Sequence, residues 1–183
     1  MRKVLHLMGT LTDEDVEWLS TAGQTRFVPK DTVVIERGKS IEALFLLLEG
    51  KLSVRIGEPP GREVAGLYPG EVLGEMSLVN ARPPSASVVA IEDSHLLVVT
   101  REVLTKQLSR DDAFAARFYR GLAVFLADRL RATTAHLGYG KWDEDARAEA
   151  QAIDDGSFDD ISLAARRFDD MLRRLRIAGR SSV

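Results

Sequence analysis

A series of short apolar runs, separated by turns that contain glycine or proline, constrains the fold of this chain most. The six residues over 43–48 are almost continuously apolar and predict a fully buried strand. Apolar and polar residues then alternate over 52–56, as in a strand with one buried face. Residues 68–71 carry Pro and Gly at the centre of a β-turn. Further strands are predicted over 32–36, 64–67, 87–91 and 95–99. Many short strands at regular spacing favour a closed antiparallel sandwich or jelly roll.

Helical patterns flank these strands on both sides. Thr12, followed three residues later by Asp15, predicts the N-cap of a short helix over 13–22. A long helix is predicted from about Asp111, and its apolar stripe consists of Phe114, Phe118, Leu122, Phe125, Leu126, Leu130, Thr133 and Leu137. The stripe either packs on the strands alone or pairs its second half with another copy of the chain. We expect the second arrangement, a homodimer through the long helix.

The C-terminal part predicts one more helix, from about Leu163 to Ile177, with Asp159 or Ser162 as its N-cap. Its apolar face is accompanied by six arginines, Arg166, Arg167, Arg173, Arg174, Arg176 and Arg180. Such a charge run is usually a solvated face, but it could also dock an acidic partner, a membrane surface or nucleic acid. We therefore expect a first domain over 1–137 and a helical extension over 138–183.

Composition excludes several classes of function. The chain has 183 residues and a net charge of -3, which gives no overall basic field for nucleic acid. It has no cysteine and only three well-separated histidines, so we expect no disulfide framework and no metal site. No set of nucleophile, base and acid stands out, and we expect no enzyme. No apolar run has transmembrane length and no secretory signal precedes the strands, so we expect a cytoplasmic protein.

A candidate ligand site lies within 74–89. Gly74 lets backbone approach a ligand closely, and Glu75 with Met76 would open a short helix whose free amides favour an anion. The Glu75 carboxylate can accept a hydrogen bond from a ribose hydroxyl. A phosphate could reach backbone amides in the small-residue run Ser85, Ala86 and Ser87. Without the surrounding pattern, the same residues would be an ordinary turn with a solvated glutamate.

Residues 12 to about 137 resemble the cyclic nucleotide-binding domain family, which includes catabolite-activator-type regulators, kinase regulatory subunits and gated channels. The match rests on 44–54, on the turn 68–71 and on the segment from Gly74 to Val88. The resemblance implies an α+β fold, an antiparallel β-roll (jelly roll) flanked by helices, with a long C-terminal helix and here an additional helical tail. It also implies cAMP, cGMP or another cyclic nucleotide as the ligand. The implied site residues are Gly74, Glu75, Met76, Ser77, Arg82, Ser85, Ala86 and Ser87.

One position departs from the family pattern. The family usually has an arginine directly before the small Ser-Ala pair, where it pairs with the cyclic phosphate, and here that residue is Pro84. Proline carries neither a charge nor an N–H group. Arg82 could bend inward as a substitute or remain a solvated loop residue, and the solvated position is the one we favour. The phosphate-binding cassette is therefore expected to be degenerate.

Three functional classes fit these features. The first is a stand-alone regulatory module that senses a cyclic nucleotide and signals through a partner protein bound to the last helix. The second is a β-roll scaffold for dimerisation or docking that binds no cyclic nucleotide. The third is a transcription regulator that uses the arginine-rich tail, although no winged helix-turn-helix pattern follows the long helix. We expect the first class, with no nucleic acid partner.

Overall fold

The computed structural model describes residues 5–58, 60–136 and 158–176. The helices in these ranges are α1 (Leu5–Thr10), α2 (Asp13–Ala22), α3 (Glu75–Asn80), α4 (Arg101–Arg110), α5 (Asp112–His136) and α6 (Phe158–Arg174). The strands are β1 (Gln24–Val28), β2 (Val33–Ile35), β3 (Ala43–Glu49), β4 (Leu52–Ile56), β5 (Arg62–Leu67), β6 (Val72–Leu73), β7 (Ser87–Ala90) and β8 (Ser94–Thr100). The predicted elements are confirmed to within two residues at most ends. The helices α1 and α4 and the strands β1 and β6 were not predicted.

The strands form two antiparallel four-stranded sheets, with the orders β1-β8-β3-β6 and β2-β7-β4-β5. The expected α+β fold with an antiparallel β-roll and flanking helices is confirmed. The expectation of a closed sandwich is wrong, because no strand pairing among the described residues joins one sheet to the other. The edge strands β2 and β6 have only three and two residues, and such short edges cannot extend a ladder into the other sheet.

Strand β3 separates two hydrophobic cores. Alternate side chains of a strand point to opposite faces. Leu44, Leu46 and Leu48 face the core that the first sheet shares with the helices. Phe45 and Leu47 face the core between the two sheets. The continuous apolar run of β3 is therefore explained by burial on both faces.

The stripe of the long helix α5 is only partly buried. Its first half is buried: the core shared with α1 and α4 contains Phe114, Phe118 and Leu122, and Phe125 is only 3% exposed. Leu130 is 65% exposed, so the stripe leaves the core after Phe125 and its neighbour Leu126. Thr133 and Leu137 lie outside the residues whose side chains the structure describes.

The last helix differs from its prediction at the N-terminus. Helix α6 begins at Phe158, so both predicted caps, Asp159 and Ser162, lie inside it. Acidic residues are favoured in the first turn as well as at the N-cap, and Asp159 therefore did not mark the boundary. The helix ends at Arg174, and the predicted end at Ile177 lies outside the described residues.

Helix α6 packs back onto the N-terminal helices. Its apolar residues Ala164, Phe168 and Met171 are buried in the same core as α1 and α2. The expectation that this apolar face docks a partner protein is wrong, because the face is already covered within the chain. The division at residue 137 stays a prediction.

Two arginines of α6 fix this packing at its edge. The Arg167 Nε donates to Asp13 Oδ1 at 2.6 Å, and its Nη1 donates to the Met8 carbonyl at 3.1 Å. Arg174 pairs with Glu17 on α2 at 2.7 Å. These two arginines therefore bind the chain itself rather than forming only a solvated face.

Asp15 joins the start of α2 to α5. The predicted capping box is present, since Thr12 and Asp15 exchange hydrogen bonds between side chain and backbone. The same carboxylate accepts two bonds from Arg117 on α5, at 2.6 and 2.9 Å. Burial alone would raise the pKa of Asp15, but the hydrogen bonds from Arg117 and Thr12 outweigh it and lower the pKa below its ordinary value.

We predict that Asp15→Asn lowers the free energy of unfolding at pH 7 by about 2 kcal/mol, because it removes a charged partner from a buried pair of hydrogen bonds. A lowered folded-state pKa stabilises the fold above the unfolded-state pKa of about 3.9, and this stability is lost as the pH falls further. The difference between wild type and variant should therefore shrink from pH 7 to pH 3. Urea denaturation at several pH values measures it.

The control is Glu14→Gln, which removes an exposed carboxylate one residue earlier. It should cost less than about 0.5 kcal/mol. An equal loss in both variants would contradict the role of the Asp15–Arg117 pair.

Candidate ligand-binding site

A cavity of about 280 Å³ opens between α3, the loop 81–86 and the C-terminal half of α5. Its floor is apolar and is formed by Ile35, Ile41, Val54, Leu67, Leu73 and Val88. The polar groups on its walls belong to Glu75, Ser77, Asn80, Arg82, Ser85 and Arg129. A concave apolar pocket with a few converging polar groups is typical of a small-molecule site.

Gly74 sets the direction in which α3 enters the cavity wall. Its φ of +84° lies in the left-handed region, which glycine adopts without steric cost. A Cβ at this position would lie 2.7 Å from the carbonyl oxygen of Ala43 on β3. The predicted close backbone approach therefore exists, but it is made to β3.

Glu75 is the buried acid of the cavity and is only 3% exposed. Its Oε1 accepts a hydrogen bond at 2.7 Å from Nη1 of Arg129, which arrives from α5. The Arg129 guanidinium also lies over the Phe125 ring at 5.5 Å. Burial raises the pKa of Glu75, and the positive charge of Arg129 together with hydrogen bonds from the backbone opposes this rise without cancelling it.

The loop that carries Pro84 is fixed by backbone hydrogen bonds. The Pro84 carbonyl accepts from the Gly38 amide at 2.9 Å. The Arg82 amide donates to the side chain of Asn80 at 3.0 Å, after a left-handed turn at Ala81. The Arg82 side chain is exposed and also lines the cavity. Its position thus combines the two alternatives, solvent exposure and access to the site.

The structure brings seven of the eight predicted site residues to this cavity, namely Gly74, Glu75, Met76, Ser77, Arg82, Ser85 and Ala86. Ser87 does not line it. Because β7 begins at Ser87 and Val88 points into the cavity, Ser87 points to the opposite face of the sheet. There its hydroxyl accepts a hydrogen bond from the Arg37 amide at 3.1 Å.

Sequence reasoning missed Arg129, Asn80 and the apolar floor. A signal for Arg129 was present, because it follows Phe125 by four residues and so lies on the same side of the helix. The floor residues come from distant strands, and a single sequence gives no sign that they meet.

Comparison with known proteins agrees with this geometry. Residues 25–111 match the family model of the cyclic nucleotide-binding domain. This part of the chain belongs to the cyclic nucleotide-binding domain family. The matched range contains all eight strands except the first residue of β1, and it contains the whole of α3.

Three similar proteins illustrate the relationship. The Cyclic AMP receptor protein of Thermus thermophilus is 33% identical over 145 residues, which is 78% of this chain and 65% of the relative. The Pycsar effector protein XpPycTIR of Xanthomonas perforans is 30% identical over 138 residues, which is 70% of this chain and 45% of the relative. The chain thus spans less than two thirds of each. A solved cyclic nucleotide-binding domain from Methylobacillus flagellatus, 24% identical, shares the fold with a TM-score of 0.67, over 78% of this chain and 85% of that one.

Two further findings concern membrane-spanning helices and metal sites among the described residues. Across residues 5–58, 60–136 and 158–176, no helix is both long and apolar enough to cross a membrane. The described part of the chain also has no group of three His, Cys, Asp or Glu side chains that could hold a metal ion.

We predict that Gly74→Ala destabilises the cyclic nucleotide-binding domain more than Gly38→Ala does. Both glycines have a left-handed backbone, with φ of +84° and +78°. A Cβ at Gly38 meets nothing within 4 Å, so this variant reports the backbone strain alone, about 1 kcal/mol. The Ala43 carbonyl should add about 1–3 kcal/mol at Gly74. Urea denaturation of both variants measures the difference, and equal losses would contradict the close contact.

Proposed function

We propose that this domain binds a cyclic nucleotide in the cavity between α3, the loop 81–86 and α5, and that it acts as a regulatory module. The observation that carries the proposal is the buried Glu75 carboxylate at the wall of an apolar cavity, beside Arg129. A sugar needs such an acceptor, and a cyclic phosphate needs a nearby cation. The 33% identity to a protein named Cyclic AMP receptor protein supports the same ligand class.

Glu75 would bind the ribose. An ionised carboxylate has two oxygens and about four acceptor sites, so it can hold Arg129 and a ribose hydroxyl together. Arg129 would favour the ionised form of Glu75 and so oppose the burial that raises its pKa. The ion pair would therefore prepare the acceptor before the ligand arrives.

The cyclic phosphate would lie near the C-terminal end of the loop 81–86. Pro84 offers no donor there. Arg82 and Arg129 both line the cavity and would supply positive charge in its place. Ser85 and Ala86 are small enough to leave their surroundings open to a phosphate. Because Arg82 is exposed, its contribution is screened by water, and we expect binding in the micromolar range or weaker.

A partner protein would receive the signal. A ligand that interacts with Arg129 would favour particular positions of α5. Helix α5 packs against α1, and α1 also packs against α6. The outer face of α6 would then contact the partner. Its arginines alternate with Asp169 and Asp170, and these carboxylates would repel a polyanion, so a protein fits this face better than nucleic acid.

Calorimetry with cAMP and cGMP tests the proposed ligand class. We predict that Glu75→Ala and Arg129→Ala each weaken binding at least tenfold, because the first removes the buried acceptor of the ligand and the second removes the charge that pairs with this acceptor. The matched control is Arg131→Ala on the same helix, whose side chain is 76% exposed and pairs with Asp128 in the adjacent turn. It should leave the affinity within about twofold.

Pro84→Arg provides the converse test. It should tighten binding if the cavity accepts the phosphate at this end of the loop. Nanomolar cAMP affinity in the wild type would contradict the proposed loss at Pro84. No binding of either nucleotide to the wild type or to Pro84→Arg would favour the alternative, a β-roll scaffold.

We also propose a homodimer through α5, with a face that differs from the one expected from the sequence. Leu122 and Phe125 are buried in the chain's own core and are not available to a second copy. Tyr119, Val124 and Leu130 remain exposed large side chains on the same helix. Tyr119 and Leu130 lie eleven residues apart, about three turns, so they share one side of the helix and would form the contact, whereas Val124 lies on another side.

We predict that Leu130→Glu dissociates the homodimer, because a charge buried in an apolar helix contact without a partner is costly. Light scattering at micromolar concentration measures the mass. The control is Val103→Glu, an exposed apolar residue on α4, which should leave the mass unchanged. A wild-type monomer under these conditions would contradict the proposed dimer.

A further inference from the structure

Helix α3 carries the ligand acceptor but is too short to hold itself in place. It has six residues, Glu75–Asn80, whereas isolated helices shorter than about 12–15 residues are marginal in water. Its position therefore depends on contacts with the rest of the domain. Those contacts decide where the Glu75 carboxylate stands relative to the cavity.

An arginine outside the cavity holds the C-terminal end of α3. The Nη2 of Arg101 donates to the carbonyl oxygens of Ser77 at 3.1 Å and of Leu78 at 3.3 Å. These carbonyls lie in the last turn of a helix, where a positive side chain satisfies acceptors and complements the helix dipole. The Ser77 carbonyl also closes the helix by accepting from the Ala81 amide at 3.0 Å.

The backbone of the same arginine is fixed to the first sheet. Arg101 directly follows β8, and its amide donates to the Glu42 carbonyl at 2.8 Å. The preceding residue, Thr100, pairs with Ala43 at the start of β3. Arg101 thus connects the end of the paired strands β3 and β8 to the C-terminal end of α3.

The N-terminal end of α3 is placed against the same point of the sheet. Gly74 lies so close to Ala43 that a Cβ would be 2.7 Å from its carbonyl oxygen. Both ends of α3 are therefore located relative to residues 42 and 43. The contact at Gly74 and the Glu75–Arg129 pair both act on the first turn of α3, whereas Arg101 holds its last turn.

We propose that Arg101 is a positioning residue for the ligand site, which sets the orientation of α3 and thereby the place of Glu75. The proposal rests on the proposed function, because it concerns the same site. Arg101 does not line the cavity, so it acts through α3 and not by touching the ligand. Any loss of affinity on its replacement must come from misplacement of the acceptor.

The first test is affinity for cAMP by calorimetry on the full chain. Arg101→Ala should raise the dissociation constant about tenfold, and Arg101→Lys should lie between, since an ammonium keeps the charge but not the planar geometry. Arg110→Ala, at the exposed end of the same helix α4, should stay within twofold. Asp15→Asn serves as a second control, because it lowers stability far from the cavity and should not change the affinity.

The second test needs no ligand. Hydrogen exchange of the α3 amides that bond within the helix, those of Leu78 and Ala81, should become at least tenfold faster in Arg101→Ala than in Arg110→Ala. Unchanged exchange, or an affinity loss no larger than in the two controls, would overturn the proposal. If wild type binds neither cAMP nor cGMP, the proposed function fails, whereas faster exchange in Arg101→Ala would still establish the anchor of α3.

Discussion

The structure depends on burial of strand β3 on both faces. One set of its side chains forms the helical core with α1, α2 and α5, and the other set forms the core between the sheets. Neither core can form without this strand, because each would lose a wall. The same strand begins beside the cavity, where Ala43 contacts Gly74. Stability and site geometry therefore share one element.

The buried charge of Glu75 in the site is paired with a charge from another helix. Glu75 would be costly to bury alone, and Arg129 from α5 compensates it. This ion pair joins the helix of the cassette to the long helix. Any molecule that competes for one member of the pair acts on both helices. The cavity thus lies where two helices meet, and a molecule bound there would contact both of them.

Local patterns in the sequence were sufficient for much of the fold. The capping box at Thr12 and the turn at 68–71 are interactions between near neighbours, and both were predicted. The run of β3 was predicted as well, because burial on both faces leaves a continuous apolar segment in the sequence. Helix α4 was missed, because Leu104 is its one buried residue and the segment has few apolar residues to mark a buried face. The acidic half of the cavity was predicted from the cassette. The basic partner of Glu75, Arg129, lies 54 residues later in the sequence on α5, and only the tertiary structure brings it to the cavity.

The fold-back of α6 has a consequence for how the domain is assembled. Met8 and Phe168 share one core, and Asp13 binds Arg167 across 154 positions of sequence. Helices α1 and α2 leave the ribosome long before α6 is synthesised. Until then, the apolar surface that α6 will cover on them stays exposed. Contacts between residues so distant in sequence slow folding, and the exposed apolar surface can meanwhile aggregate or bind chaperones. The N-terminal helices can thus reach their final packing only after the C-terminal helix has been synthesised.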